Sequence, residues 1–421
     1  MTSRILCGLC LGLIHAGTGA ADTKAFVGAR IFDGTGKAVI EKGTIVVLDG
    51  RIAAVGPSDK VKAPKGVQTI NVTGKTITPG LINAHGHVSD VEGKGTGATE
   101  ESVARQLGVF ARYGITTVFS LGGEEAPAFN LRDAQGTPTL KRARIFVAGP
   151  VIVGKTPQEG RQMVDKVAGM KPDFIKIRVD DNLGTSTKIT PDVYRAVIDE
   201  AHKRGLRLFV HYFYLDDAKD LLRSGADLMA HSVRDRPIDD ELIALLKEHN
   251  VPYCPTLTRE LSTFIYADTP GFFRDPFFLR EANPQVVAFL QEPERQEAMR
   301  KNKSAQAYKA ALPTAEKNLK KLSDAGIPIV MGTDSGAMAS RFEGYFEHLE
   351  MQMMAQSGMS PKDILRSATG SAAHALKVND IGTLEKGKWA DLVVYDNNPL
   401  DDINNTKSIS AVYVAGNEVR R

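Results

Sequence analysis

Two histidines one residue apart, His85 and His87 in Thr78-Pro-Gly-Leu-Ile-Asn-Ala-His-Gly-His-Val88, close a short apolar run that reads as a strand. Side chains repeat every second residue along a strand, so both imidazoles face the same way. Neutral imidazole is a good donor to zinc and related divalent ions, and Gly86 between the two lets the backbone pack close. The pair is half of a metal site. Taken alone it also fits two histidines held by ordinary hydrogen bonds, so the reading depends on what answers it downstream.

Other ligand-type residues recur, each at or near the end of an apolar run. Lys176 lies in Asp173-Phe-Ile-Lys-Ile-Arg178, His211 follows Leu208-Phe-Val210, His231 follows Leu228-Met-Ala230, and Asp334 follows Ile329-Val-Met-Gly-Thr333. One such histidine is more often a packed core residue than a ligand. Recurrence at separate strand ends argues instead for a shared site. For Lys176 the alternative is an ion pair with Asp173 or Asp180. Strand alternation sets Arg178 on the side of Lys176, where it either holds a substrate carboxylate or pairs with a neighbouring acid. Cys254, in Pro252-Tyr-Cys-Pro-Thr256, reads as a small buried residue, and His202 falls on a helix, so neither joins the set.

Eight runs are strand candidates that position these groups: residues 76–84, 114–120, 144–148, 174–178, 207–210, 227–230, 251–255 and 328–332. Amphipathic stretches such as 101–113, 191–204 and 239–249 lie between several of them. The alternation predicts an α/β fold with parallel strands, and eight units are what a closed TIM-like (β/α)8 barrel needs, with chemistry at the carboxyl ends. Residues 258–293, rich in Phe and Pro, stay unassigned and read either as a lid over the mouth or as a packed insertion. Both ends of the chain have a different texture of short β runs and turns, including Asp49-Gly50 between apolar runs and Gly416-Asn417 before Val419. They are expected to meet in a small composite β-sandwich, made of residues 22–74 and 381–421 around a barrel of 75–380.

The first 21 residues stand apart: Arg4, an apolar run over 5–14, then Ala16-Gly-Thr-Gly-Ala-Ala21 before Asp22. That order is a secretory signal peptide, cleaved after Ala20 or Ala21, and it predicts a periplasmic or secreted protein. Of the three cysteines, Cys7 and Cys10 lie inside this segment, which leaves Cys254 without an intramolecular disulfide partner.

These motifs resemble the amidohydrolase superfamily, most closely its imidazolonepropionase-like and Xaa-Pro dipeptidase-like members. The resemblance rests on residues 78–87, on Met331-Gly-Thr-Asp-Ser335 and on Ile381-Gly-Thr-Leu-Glu-Lys-Gly-Lys-Trp-Ala-Asp-Leu-Val-Val394. It implies a barrel with a composite sandwich and two zinc or other divalent ions per chain. In that scheme His85 and His87 bind one ion, His211 and His231 the second, Lys176 bridges both as a carbamate, and Asp334 completes the site and shuttles the proton. A metal-activated hydroxide then attacks an amide or cyclic amide carbonyl. Many relatives carry Glu before the sixth-strand histidine and a small residue after the fifth-strand one, where this chain has Ala230 and Tyr212. The pocket is therefore this chain's own, with Arg178, Tyr212, Arg234 and Arg259 as expected substrate contacts.

A peptide-like or N-acyl amino acid substrate is the expected class. The rivals are a lactonase or phosphotriesterase on the same site, and a metal-binding protein without turnover. Lys and Arg number 53 against 50 Asp and Glu, so the near balance gives no footing for nucleic acid or a charged membrane as partner. The expected partner is a small-molecule substrate, and a homo-oligomer is compatible with the sequence.

Overall fold

The structure, a computed structural model, describes residues 23–89 and 97–420, so the signal-type segment falls outside the described residues. In chain order the first strands are β1 (Thr23–Ile31), β2 (Ile40–Leu48), β3 (Arg51–Pro57), β4 (Gln68–Asn71) and β5 (Thr76–Pro79). Seven short strands follow: β6 (Leu81–Gly86), β7 (Ile115–Ser120), β8 (Arg144–Val147), β9 (Ile175–Val179), β10 (Leu208–Tyr212), β11 (Leu228–Ala230) and β12 (Tyr253–Cys254). The chain closes with β13 (Leu392–Tyr395), β14 (Ile409–Val414) and β15 (Asn417–Glu418).

The two ends meet in one sheet, in the order β15-β14-β13-β5-β1-β2-β3 with β4 beside β1. Asp49 and Gly50, both at positive φ, turn β2 back into β3 with Leu48 opposite Arg51. At the other end the turn residues are Ala415 and Gly416, one position earlier than the sequence suggested. Phe26, Ile31, Ile45, Ile77, Leu392 and Tyr413 fill a core that belongs to this sheet and is separate from the main one.

One expectation is corrected here. The run 76–84 is not a single strand: β5 pairs with β13 and β1 in the terminal sheet, and β6 pairs with β7. The break is at Gly80, where a Cβ would lie 2.0 Å from Thr116 Oγ1, so only glycine lets the chain cross between the two sheets.

The central strands form two parallel groups, β6-β7-β8 and β9-β10-β11-β12. Bridges between Ile152 and Ile177, Tyr253 and Ile329, and Gly86 and Ser335 connect these groups to each other and to the segment 328–335. That segment donates from Val330 N to Tyr253 O (3.0 Å) and from Thr333 N to His85 O (3.1 Å), and its Met331 O accepts from Ala84 N (2.8 Å). Helices Glu100–Arg112, Ala126–Asp133, Pro157–Ala168, Pro191–Lys203, Leu215–Arg223 and Asp240–Glu248 alternate with the strands. Phe146, Phe119, Phe174 and Phe209 stack in that order, with ring centroids 4.4–6.0 Å apart.

The segment left unassigned, 258–293, is largely helical, with Leu257–Ser262, two 3-10 turns, Pro276–Leu279 and Pro284–Leu290, and helices Pro293–Lys301 and Lys303–Asp324 follow it. Two of its phenylalanines, Phe273 and Phe278, are buried against Phe342 and Tyr345, whereas Phe289 is exposed. Among the described residues no helix is long and apolar enough to cross a membrane.

His348, on helix Tyr345–Gln356, ties this layer down through Nε2 to the Tyr113 carbonyl (2.9 Å) and Nδ1 to Thr406 Oγ1 (3.0 Å). Burial pushes its pKa down to about 3, against the hydrogen bond to the carbonyl. The unfolded chain, with a histidine near the ordinary 6.5, therefore takes up this proton first as the pH falls. His348 costs nothing above that value, and below it stability drops by up to about 1.4 kcal/mol per pH unit down to about pH 3. Urea unfolding of His348→Gln is expected to show a shallower acid limb than wild type, and parallel limbs would contradict this.

Candidate metal and active site

The predicted ligands lie at or just beyond the carboxyl ends of their elements except Lys176, which is the second residue of β9 and stands two residues below the level of His211. His85 ends β6 with His87 just beyond it, Lys176 and His211 lie in β9 and β10, His231 follows β11, and Asp334 follows the segment paired to Tyr253. Ligand atoms of His85, His87 and Asp334 all lie within 4.8 Å of one another. The imidazoles continue as a chain, with ring centroids 5.5 Å apart for His85–His87, 4.5 Å for His85–His231 and 4.2 Å for His211–His231. His231 (φ 81°), Thr256 (φ 48°) and Asp334 (φ 61°) occupy the left-handed region that non-glycine residues avoid. Strained backbone gathered at one place is held there by the surrounding fold to aim these side chains.

The hydrogen bonds fix which nitrogens are free. The Gly122 carbonyl can only accept, so His87 carries its proton on Nδ1 (3.1 Å) and turns the lone pair of Nε2 inward. That lone pair faces Asp334 Oδ1 at 2.8 Å, and His85 Nε2 stands 3.3 Å from the same oxygen. Acceptors meeting head-on at such distances are stable only with positive charge among them, a proton or a metal ion. His211 donates from Nε2 to Asp180 Oδ2 (2.7 Å), and His231 Nδ1 bonds Thr256 Oγ1 (2.6 Å), each leaving its other nitrogen for the site. Anchoring one imidazole nitrogen on an outer oxygen is how proteins orient histidine ligands.

Electrostatics agree with that division. Burial and the charge of Lys176 push His85 down to about 3, and burial likewise takes His211 and His231 well below the ordinary range. All three are neutral donors near pH 7. Burial lowers Lys176 to about 8. Its Nζ is buried without a hydrogen-bond partner, and the acids considered for it are taken: Asp173 by Arg132 (2.8 Å), Asp180 by His211. Burial alone would lift the Asp334 carboxyl, but Arg341 and the two imidazoles hold it well below the carboxylate range. Neutral imidazoles, an ionised carboxylate and an unpartnered lysine fit divalent cations.

Supporting residues that sequence reasoning passed over give the site its shape. Buried Glu124 accepts from Ser120 Oγ (2.6 Å), Gly122 N (2.8 Å) and Gly149 N (2.7 Å), and so sets the carbonyl that orients His87. Glu347 accepts from Asn83 Nδ2 (2.6 Å), Thr333 Oγ1 (2.9 Å) and Ser335 Oγ (2.5 Å), which locks the histidine strand to the aspartate loop. Arg341 pairs with Asp334 and donates from Nε to Ser262 Oγ (3.0 Å). The available signal for Glu347 was an acid on the apolar face of a helix. For Arg341 there was none.

The expected substrate contacts fall into three situations. Arg178 is at the exposed rim, bonded to Asn182 and 3.4 Å from Asp180. Tyr212 and Arg234 are sealed in the wall: the tyrosine ring is wholly buried, and the guanidinium donates to the Tyr212 and Ser232 carbonyls (3.1 and 2.6 Å) while pairing with Glu260 (3.1 Å). Arg259 is buried beside the site, held by Glu260 (3.0 Å) and stacked on Tyr308.

Matched against known proteins, residues 76–419 fit the amidohydrolase family, to which this chain belongs. It is a hydrolase of carbon–nitrogen bonds. The chain is 25% identical over 401 residues to an imidazolonepropionase of Geobacillus sp. (strain WCH70), covering 85% of this chain and 84% of that protein. It is 26% identical over 214 residues to an enamidase of Eubacterium barkeri, covering 46% of this chain and 52% of that protein. Among solved structures, a Xaa-Pro dipeptidase with bound methionine in the active site shares the fold, with a TM-score of 0.75 at 22% identity over 94% of this chain and 99% of that one.

Proposed function

We propose that this chain is an exported, metal-dependent amidohydrolase that cleaves the amide of a peptide-like or N-acyl amino acid substrate in a closed (β/α)8 barrel beside a composite sandwich. The observation that carries the reading is the buried, unpartnered Lys176 amine facing neutral histidines and an ionised aspartate. His85, His87 and Asp334 would hold one divalent ion, zinc by donor type, and His211 and His231 a second. Lys176, with its pKa lowered to about 8, would be neutral in roughly a tenth of molecules at pH 7, and that form could add carbon dioxide, release a proton and serve as a carboxylated lysine between the two. Such ions supply a Lewis acid and a water of lowered pKa.

This chain's own residues do the rest. Arg341 keeps Asp334 ionised, the form that accepts a proton, and Asp334 next to the reacting centre can return that proton to the leaving nitrogen. The Gly122 carbonyl and Asp180, which can only accept, hold His87 and His211 in one tautomer each, and Thr256 orients His231. Export rests on the order of Arg4, the apolar run and Ala20-Ala21, and a mature N-terminus at Ala21 or Asp22 on protein recovered outside the cytoplasm tests it.

Ester and phosphoryl centres suit the same donor set, so the deciding experiment is a panel of N-acyl amino acids, dipeptides, lactones and phosphotriesters assayed with added zinc. The expected result is kcat/KM highest on a carbon–nitrogen substrate. Turnover confined to lactones or phosphotriesters would overturn the reading.

A further inference from the structure

A cavity of about 1210 Å³ opens at the end of the central strands away from the proposed ligands, none of which lines it. Arg207, Asp227 and Pro252 are in its wall and immediately precede β10, β11 and β12. His211 lies four residues beyond Arg207, so about 13 Å of strand separates the cavity from the candidate metal site. The facing wall comes from Gly34, Thr35 and Lys37 in the loop after β1, from helices Pro361–Ser367 and Gly370–Ala375, and from the chain that runs on to Lys388. The cavity thus lies where a loop of the terminal sheet meets the central strands.

Its charges are unequally engaged. All three carboxylates of the wall have partners: Asp227 accepts from the Leu208 amide (2.8 Å) and bonds His202 Nε2 (2.8 Å), Asp363 accepts from Ser360 Oγ (2.6 Å), and Glu385 accepts from Thr383 Oγ1 (2.7 Å) and pairs with Lys388 (3.3 Å). Arg207 donates to the Ala375 and Leu376 carbonyls (3.2 and 2.6 Å). That leaves Lys37, Arg366 and Lys377, and among the described residues none of these side chains has a hydrogen bond or ion pair. A Cβ on Gly36 would fall 3.6–3.7 Å from the guanidinium carbon and two nitrogens of Arg366, so the loop lies against this group, and its Nε is buried without a partner. A buried donor without an acceptor is costly until one arrives. The rest of the polar wall is neutral, including Asn250, Ser323, Ser371 and Asn379. None of the large apolar side chains exposed on the described surface lines the cavity, which sets it apart from a surface that enters a bilayer.

We infer that this cavity binds a phosphate monoester with a hydroxyl-bearing organic part, at a site separate from the hydrolytic centre. Near pH 7 a phosphate monoester carries about two negative charges and three strong acceptor oxygens. Those match the planar fork of Arg366 and the ammonium groups of Lys37 and Lys377, whereas a carboxylate brings a single charge. The cavity is much larger than a phosphate, and neutral amides and hydroxyls along its wall suit a polyol. Bound there, the anion ties the loop of Lys37 to the helix of Arg366, so it stabilises the fold and leaves the chemistry unchanged.

The probe is ribose 5-phosphate, with ribose and inorganic phosphate for comparison, titrated by calorimetry into protein purified with its metal and followed by thermal melting. Wild type is expected to bind ribose 5-phosphate at least tenfold tighter than ribose, more weakly as salt rises, and to melt several degrees higher when saturated. Inorganic phosphate should fall between the two. Arg366→Met should weaken ribose 5-phosphate tenfold or more, and Lys37→Met and Lys377→Met several-fold each, with kcat on the best substrate of the panel unchanged in all three. Both lysines are exposed, so their variants carry the test should Arg366→Met fold poorly. Equal affinity for ribose 5-phosphate and ribose overturns the inference. So does wild-type affinity in the arginine and lysine variants, which would put the phosphate on the metal ions instead, and so does binding only to phosphatidylglycerol vesicles. A panel without hydrolysis would count against the proposed reaction and leave this binding result standing.

Discussion

Asp334→Asn is expected to lower kcat by about 10²–10⁴-fold, the range for losing a positioned general acid–base group. The amide keeps the size of the carboxylate and an oxygen toward His85 and His87, so the histidines should stay where they are. It removes the charge that Arg341 holds in place and the ability to carry a proton. The variant also leaves Arg341 buried beside a neutral partner, so a lower melting temperature should accompany the loss of turnover. Measured kcat on the best substrate of the panel, with circular dichroism to confirm the fold, separates the two effects. Wild-type kcat in Asp334→Asn would remove Asp334 from the chemistry.

The largest effect on stability is expected at Asp391, where the C-terminal part of the chain locks onto the central strands. Its carboxylate receives Arg144 Nε (2.8 Å) and Nη2 (3.3 Å) from β8 and the Ala415 amide (2.7 Å) from the terminal sheet. Arg144 also lies over the Trp389 ring at 4.4 Å, and the side chains of Arg144 and Asp391 are 4% and 3% exposed. Removing one partner leaves a buried charge without compensation, which costs about 3–5 kcal/mol. Asp391→Ala should therefore lower urea-unfolding stability by about that much, and Arg144→Met in the same chain should recover part of it. A loss below about 1 kcal/mol would mean that the pair is screened by solvent, as exposed pairs are.

The grouping of His85, His87 and Asp334 was legible in the sequence because its logic is local. A polar donor at the end of an apolar strand is visible as a change of residue type, and strand alternation tells which way it faces. The same holds for the Asp49-Gly50 hairpin, where turn chemistry decides the geometry. What escaped depends on distant parts of the chain. Asp180 entered the sequence reading as an acid for Lys176, yet it takes His211, thirty-one residues away in sequence. Glu347 reaches back 264 residues to Asn83. Arg341 gains its place from the fold of a loop whose sequence, Met338-Ala-Ser-Arg341, carries no motif.

Two stretches carried signals that went unused. The phenylalanine-rich insertion was left unassigned, but Pro276, Pro284 and Pro293 each open a helix, where a missing amide proton costs nothing. The run 76–84 looked continuous because both halves are apolar; Pro79-Gly80 in its middle marks the crossing between sheets. Tyr212 and Arg234 were chosen as substrate contacts for being near ligands in sequence. Both are buried in the wall: Tyr212, next to His211 on β10, points to the opposite face of the strand, and the Arg234 guanidinium bonds the Tyr212 and Ser232 carbonyls.

The central claim, a two-ion site bridged through Lys176, is tested most directly by metal content per chain. Mature protein is purified without chelators and with bicarbonate present, as wild type and as Lys176→Ala, and analysed by elemental mass spectrometry. Wild type is expected to carry about two zinc-like ions, falling to one or none when the lysine is removed. A single ion in both proteins would contradict the bridging role and leave a mononuclear site built on His85, His87, His211 and Asp334.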